Sequence, residues 1–151
     1  MSTILLLNGP NLNLLGKREP DIYGHDDLDS IERRLQTVTS AANHQLNSFQ
    51  SNAEHEIIDK LQSVVINNDT DFIIFNPGAF THTSVAIRDA IAACKKPFIE
   101  LHISNIFARE EFRHHSYFSD LATGVICGLG TYGYDLALLA AINHLNSNQK
   151  G

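Results

Sequence analysis

Basic side chains are scarce: Lys and Arg total 11 against 17 Asp and Glu, a formal net charge of −6 over 151 residues. A nucleic-acid binder would show a basic patch or stripe, so that class is disfavoured. Cysteine is almost absent. Cys94 and Cys127 stand in apolar stretches with no CxxC or CxxxH spacing, which reads as two small hydrophobes, neither redox pair nor metal ligands. Long apolar runs are missing as well. Ile4 to Leu7 has no basic residue before it and is too short for a secretory leader, and no segment approaches a membrane span. The expectation is a cytoplasmic protein with no membrane association, in which the sequon Asn68-Asp69-Thr70 arises by chance. Repeats, low-complexity tracts and linkers are lacking too, which points to one domain over 1–151 with a single core.

What is present is alternation. Short apolar runs occur at Thr3 to Asn8, Leu46 to Gln50, Asp71 to Asn76, Pro97 to His102 and Gly124 to Cys127. Between them, Leu28, Ile31, Leu35, Val38 and Ala42 are spaced by three and four, as on one helical face. Ile57, Ile58, Leu61, Val64 and Val65 form a second stripe, and Ser84 to Cys94 and Tyr134 to Leu145 supply two more helices. Such alternation predicts an α/β fold, a parallel sheet covered by helices on both faces. Five strands suggest the flavodoxin-like order 2-1-3-4-5. The last helix is apolar nearly all round, so part of it is expected to pack against another subunit.

Two long connections, Gly9 to Asp26 and Ile103 to Ser119, leave the carboxyl ends of the first and fourth strands. Open sheets of this type bind ligands there, and long loops in compact domains commonly serve as lids or binding loops. The first carries Arg18 and Tyr23; a phenol is a poor base at neutral pH unless a nearby guanidinium favours the phenolate. In the fourth strand Glu100 and His102 are two apart and share a face. Strand ends also deliver Asn8, Asn76 and His82, which favours a polar pocket over an ordinary core histidine. A metal site is disfavoured, because no third ligand has a recognisable spacing. Ser84 is suited to cap the following helix. Arg113, overhanging the strand ends, could fork onto substrate oxygens.

Gly128-Leu129-Gly130-Thr131-Tyr132-Gly133 fits GxGxxG, but a dinucleotide site needs a further strand with an acidic residue about 20 positions on. Only helix remains after it, so the glycines are read as tight-turn and close-packing residues. No GxxxxGK[ST] occurs. A phosphorylated receiver of the same architecture would want acidic residues where Asn8 and Asn76 stand. An inactive assembly protein is disfavoured by the set Tyr23, Arg18 and His102.

Four segments in order resemble the type II 3-dehydroquinate dehydratases. They are Asn8-Gly-Pro-Asn-Leu-Asn13 with Leu15-Gly-Lys-Arg-Glu-Pro-Asp-Ile-Tyr-Gly24; Asn76-Pro-Gly-Ala-Phe-Thr-His-Thr-Ser-Val-Ala-Ile-Arg-Asp89; Glu100-Leu-His-Ile-Ser-Asn105; and Arg109-Glu-Glu-Phe-Arg-His-His-Ser116. Phe80, where many relatives carry tyrosine, and Phe107 depart from the pattern. The resemblance implies a cofactor-free and metal-free lyase converting 3-dehydroquinate to 3-dehydroshikimate, in aromatic amino-acid biosynthesis or quinate breakdown. It also implies a homo-oligomer, a dodecamer built of trimers. By the same resemblance Tyr23 is the proton acceptor and His102 the proton donor, oriented by Glu100. Arg18 stabilises the transition state and Asn13 holds a water against the enolate oxygen. Asn76, His82, Arg113 and the backbone amides of Ile103 and Ser104 bind substrate, and Asp89 reaches in from a neighbouring subunit. Lys17, the lysine near this set, carries no mark of desolvation, which disfavours a Schiff base.

Overall fold

A computed structural model describes residues 1–17, 21 and 26–149. Five strands, β1 (Thr3–Asn8), β2 (Gln45–Gln50), β3 (Phe72–Asn76), β4 (Phe98–His102) and β5 (Gly124–Cys127), form one sheet in the order β2-β1-β3-β4-β5. All four pairings are parallel, the flavodoxin-like arrangement expected from the alternation of elements. The helices are α1 (Leu28–Ala41), α2 (Glu54–Asn67), α3 (Val85–Cys94) and α4 (Tyr132–Gln149).

Period-two alternation in the strands builds two cores. Ile4 and Leu6 of β1 join Phe72, Ile74, Ile99 and Leu101 under α1 and α4, where Ile31, Leu35, Tyr134, Ala137, Leu138 and Ala141 meet them. The intervening Leu5 and Leu7 join Ile73, Phe75 and Phe98 under α2 and α3, against Ile57, Leu61, Ile87 and Ile91. Each fully buried aliphatic side chain contributes about 1.5–3 kcal/mol relative to exposure, so a one-residue register slip would forfeit both cores.

The helix starts are chemically specified. Asp27 caps α1 by accepting from the Ser30 amide at 2.8 Å, and Ser84 caps α3 by accepting from the Ile87 amide at 2.9 Å, as its position before the apolar stripe predicts. Two stripe positions differ from expectation. Val38 and Val65 are exposed, and Thr39 is buried in place of Val38 with its hydroxyl donating to the Leu35 carbonyl. A back-bonded threonine can be buried without an orphaned hydroxyl, so the polar residue turns inward. On α4, Leu139 and Ala140 remain exposed while Tyr134, Ala137, Leu138, Ala141 and Leu145 face the core.

The glycine-rich segment behaves as a turn. Gly128 and Gly130 have φ of 86° and 66°, in the left-handed region that favours glycine. A Cβ on Gly133 would lie 2.7 Å from Leu101 Cδ1, so its absence lets α4 seat on the sheet. Cys94 is a core residue: burial pushes its thiol up to about 11, and the sulfur donates to the Leu61 carbonyl. No helix is long and apolar enough to cross a membrane, among the described residues.

Candidate active site

After β1 the chain crosses to β2 on one side of the sheet, and after β3 to β4 on the other. The crevice opened by that reversal lies at the carboxyl ends of β1 and β3, whose last residues Asn8 and Asn76 are register partners. The cleft found there is lined by Asn76, His82, His102, Ile103, Ser104 and Arg113, all expected as site residues. Pro10, Asn11, Leu12, Leu14, Gly78, Ile106 and Arg109 complete most of its wall. Glu100 lies directly behind His102. Asn13 is exposed on the short 3-10 turn Leu12–Leu14 and Asp89 is exposed on α3; neither lines the cleft. Arg18 and Tyr23 lie outside the described residues.

The floor of the cleft is an acid–imidazole pair. Glu100 is fully buried and His102 5% exposed, with Oε2 and Nε2 2.6 Å apart. The other carboxylate oxygen, Oε1, accepts from the hydroxyls of Ser116 and Ser119, each at 2.9 Å. Burial on its own would raise the Glu100 carboxyl. The His102 hydrogen bond and charge, with the two serine hydroxyls, outweigh that penalty and hold it below the usual carboxylate range. An ionised Glu100 fixes a proton on His102 Nε2 and leaves Nδ1 for the cleft.

This arrangement sets a pH dependence. A carboxylate whose folded value is depressed contributes stability above its unfolded value, near 4.5, and that contribution is lost as pH falls through the lower folded value. Glu100→Gln is therefore expected to flatten the acid side of the stability curve. Between about pH 6 and about pH 3 the variant's Tm should fall less than that of the wild type. Parallel curves would mean that Glu100 is not held as an ion.

His82 plays a different part. Its Nδ1 lies 2.8 Å from the His115 carbonyl, which can only accept, so Nδ1 carries the proton and Nε2 is left as an acceptor. Burial lowers its pKa, and the charges of His102 and Arg113 add to this against the opposing pull of the His115 carbonyl and Glu100. His82 is thus a neutral acceptor suited to a hydroxyl, beside an imidazole suited to donate; the two rings lie 6.4 Å apart and nearly parallel.

Guanidinium groups close the other side. Arg113 Nε donates to Glu110 at 2.5 Å, and Arg109 donates to Ser104 Oγ at 3.2 Å. Arg109 and Arg113 line the cleft and, among the described residues, no Asp or Glu does, so its wall is cationic in a chain of net charge −6. Such a cleft recruits an anionic, hydroxylated ligand. Among the described residues, no group of three His, Cys, Asp or Glu is placed to hold a metal ion.

Several contributors carried no local signal in the sequence. Arg109 lines the cleft, although its segment enters the sequence reading only through the family pattern. Ser116 joins three segments: it donates to Glu100, accepts from the Phe118 amide and pairs with Thr81, next to His82. Tyr134, from α4, bonds to both Asn8 and Asn76.

The profile of the dehydroquinase class II family matches residues 2–142. A 3-dehydroquinate dehydratase of Chromobacterium violaceum is 60% identical over 145 residues, which cover 96% of this chain and 92% of the relative. One from Actinobacillus pleuropneumoniae serotype 5b is 60% identical over all 151 residues and 97% of its own length. Among solved structures, the type II dehydroquinase of Propionibacterium acnes superposes with a TM-score of 0.89 at 41% identity, covering 95% of this chain and 97% of that one. Strand order, cleft position and these similarities agree: the chain belongs to the class II dehydroquinase family.

Proposed function

We propose that the chain dehydrates 3-dehydroquinate to 3-dehydroshikimate by anti elimination through an enolate, without metal or cofactor, as one catalytic domain over residues 1–151. The observation that carries this reading is the ionised, buried Glu100 held against His102 at the floor of a cationic cleft. Losing water from a β-hydroxy ketone needs a base at the α carbon, stabilisation of the enolate and an acid at the departing oxygen. His102 is the acid, delivering a proton from Nδ1. Tyr23 is the base, and Arg18 favours its phenolate and the developing negative charge; these two roles rest on the family resemblance. Asn13 holds a water against the enolate oxygen on the same ground.

Substrate contacts follow from the polarity of the cleft. Arg113 and the backbone amides of Ile103 and Ser104 suit the carboxylate, His82 Nε2 accepts from a hydroxyl, and Asn76 presents an N–H. Asp89 is exposed on α3, in keeping with a carboxylate that serves a neighbouring subunit's site. Leu139, Val125 and Tyr132 are large exposed apolar residues on α4, on β5 and at the start of α4. They support a homo-oligomer as the working form; its being a dodecamer of trimers rests on the family resemblance. The shikimate pathway, in the cytoplasm, is the proposed setting, with quinate breakdown as the second.

The direct test is an ultraviolet assay for the enone product formed from 3-dehydroquinate. Borohydride added with substrate is expected to leave activity intact, because Lys17, the lysine nearest the site in sequence, is exposed and does not line the cleft. Rapid inactivation by borohydride would replace the enolate scheme with a Schiff-base one. Absence of the enone would remove the proposed activity altogether.

A further inference from the structure

A directed chain of hydrogen bonds runs behind the cleft wall. The Gly78 amide can only donate, and it does so to Asn76 Oδ1 at 3.2 Å. The oxygen of that carboxamide is thereby assigned, and its nitrogen faces the other way. Asn76 Nδ2 donates to the Tyr134 hydroxyl at 2.9 Å. The phenol, having accepted there, gives its own proton to Asn8 Oδ1 at 2.6 Å. Every polarity in the sequence Gly78, Asn76, Tyr134, Asn8 follows from the first bond.

Tyr134 is fully buried, in the first turn of α4, while Asn8 and Asn76 end adjacent strands at the crevice. Burial pushes its phenol well above the ordinary tyrosine value, so it remains an O–H donor at every working pH. One of the two N–H bonds of Asn76 is committed to Tyr134. The second remains for an oxygen in the cleft that Asn76 lines.

We propose that Tyr134 is a positioning residue for substrate binding: it locks the Asn76 carboxamide so that the cleft meets a donor N–H and not an acceptor oxygen. The inference deepens the reading above and rests on it, since the ligand concerned is the hydroxylated, carboxylated substrate of that cleft. With Tyr134 absent, the amide is held only by Gly78 and its nitrogen loses the partner that fixes its plane. Binding suffers; the acid step, made by groups on the opposite face of the sheet, does not.

The experiment is a double-mutant cycle in the full-length protein with 3-dehydroquinate. Tyr134→Phe is expected to raise KM about fivefold to tenfold, the value of one hydrogen bond of this kind, with kcat changed by less than about twofold. Asn76→Ala should raise KM at least as far. Combining the two should add nothing to Asn76→Ala, because Tyr134 acts through Asn76. An unchanged KM in Tyr134→Phe, or fold-changes that multiply in the double variant, would overturn the proposal. If Tyr134→Phe does not fold, Asn8→Ala takes its place: it frees the phenol proton to compete for Asn76, and KM should again rise with kcat retained. No rise there overturns the proposal equally. Wild-type protein that leaves dehydroquinate unchanged would sink the proposed activity and this inference together; active wild type with an unaltered variant KM would sink the inference alone.

Discussion

Replacing His102 with alanine is expected to lower kcat by about 10²- to 10⁴-fold, the range for loss of a positioned general acid. Hydroxide is a poor leaving group, and among the described residues no other group lining the cleft is as well placed to protonate it. His82 spends its Nδ1 proton on the His115 carbonyl and is kept neutral, so it cannot substitute as an acid. The substitution also leaves Glu100 Oε2 without its partner, at a cost of about 1–3 kcal/mol in stability. His102→Gln separates the two effects. It can donate to Glu100 and should recover much of the lost stability, yet it has no proton to transfer and should remain as slow as alanine. The readouts are kcat from enone absorbance, Tm, and the alkaline limb of the pH–rate profile, which reports the acid. A wild-type rate in either variant would remove His102 from that role.

Loss of the Tyr23 hydroxyl is expected to be of similar size. Tyr23→Phe should lower kcat by about 10²- to 10⁴-fold while leaving substrate binding measurable, since the base acts in the transition state and contributes little to ground-state affinity. No described tyrosine can stand in. Tyr134 is buried, committed to Asn8 and Asn76, and pushed by burial away from the phenolate. Tyr117 packs edge-on against His115, Tyr132 is 61% exposed at the start of α4, and neither lines the cleft. A phenol with an ordinary pKa near ~10 would act as a base only weakly at neutral pH, and in the proposed mechanism Arg18 supplies the difference. Arg18→Ala should accordingly share the kcat loss and shift the acid limb of the profile to higher pH. Unchanged turnover in Tyr23→Phe would require a different base.

The two variants should also differ in which limb of the pH profile they erase: the acid limb for Tyr23, the alkaline limb for His102. That contrast distinguishes two chemical roles from general damage to the cleft, which would lower the whole profile without changing its shape.

How much of this was legible in the sequence depends on the distance over which each feature is decided. The strand at Thr3–Asn8 and the stripe Ile31, Leu35 follow from periods of two and 3.6, and both stand where expected. Glu100 and His102 were legible as a pair because two positions along a strand always share a face. Ser84 was legible as a cap from its place before an apolar stripe. Boundaries were less so: the third strand begins at Phe72, one residue after expectation, because the Asp71 carboxylate turns to accept the Thr3 amide. The connection after the fourth strand, read as one long binding loop, contains two 3-10 turns, Ile106–Ala108 and Glu111–Arg113, and the fully buried Phe118.

The sequence by itself determined the alternating elements, the polar strand ends and the family pattern, since each rests on local periodicity or on contiguous motifs. Only the tertiary structure decided that Ser116 and Ser119, 16 and 19 residues from Glu100, would join His102 in holding it as an ion. It alone placed Tyr134 against Asn8, 126 positions away. The reason is physical: buried polar groups must find partners once water is gone, and the only partners within reach are those that chain folding brings there.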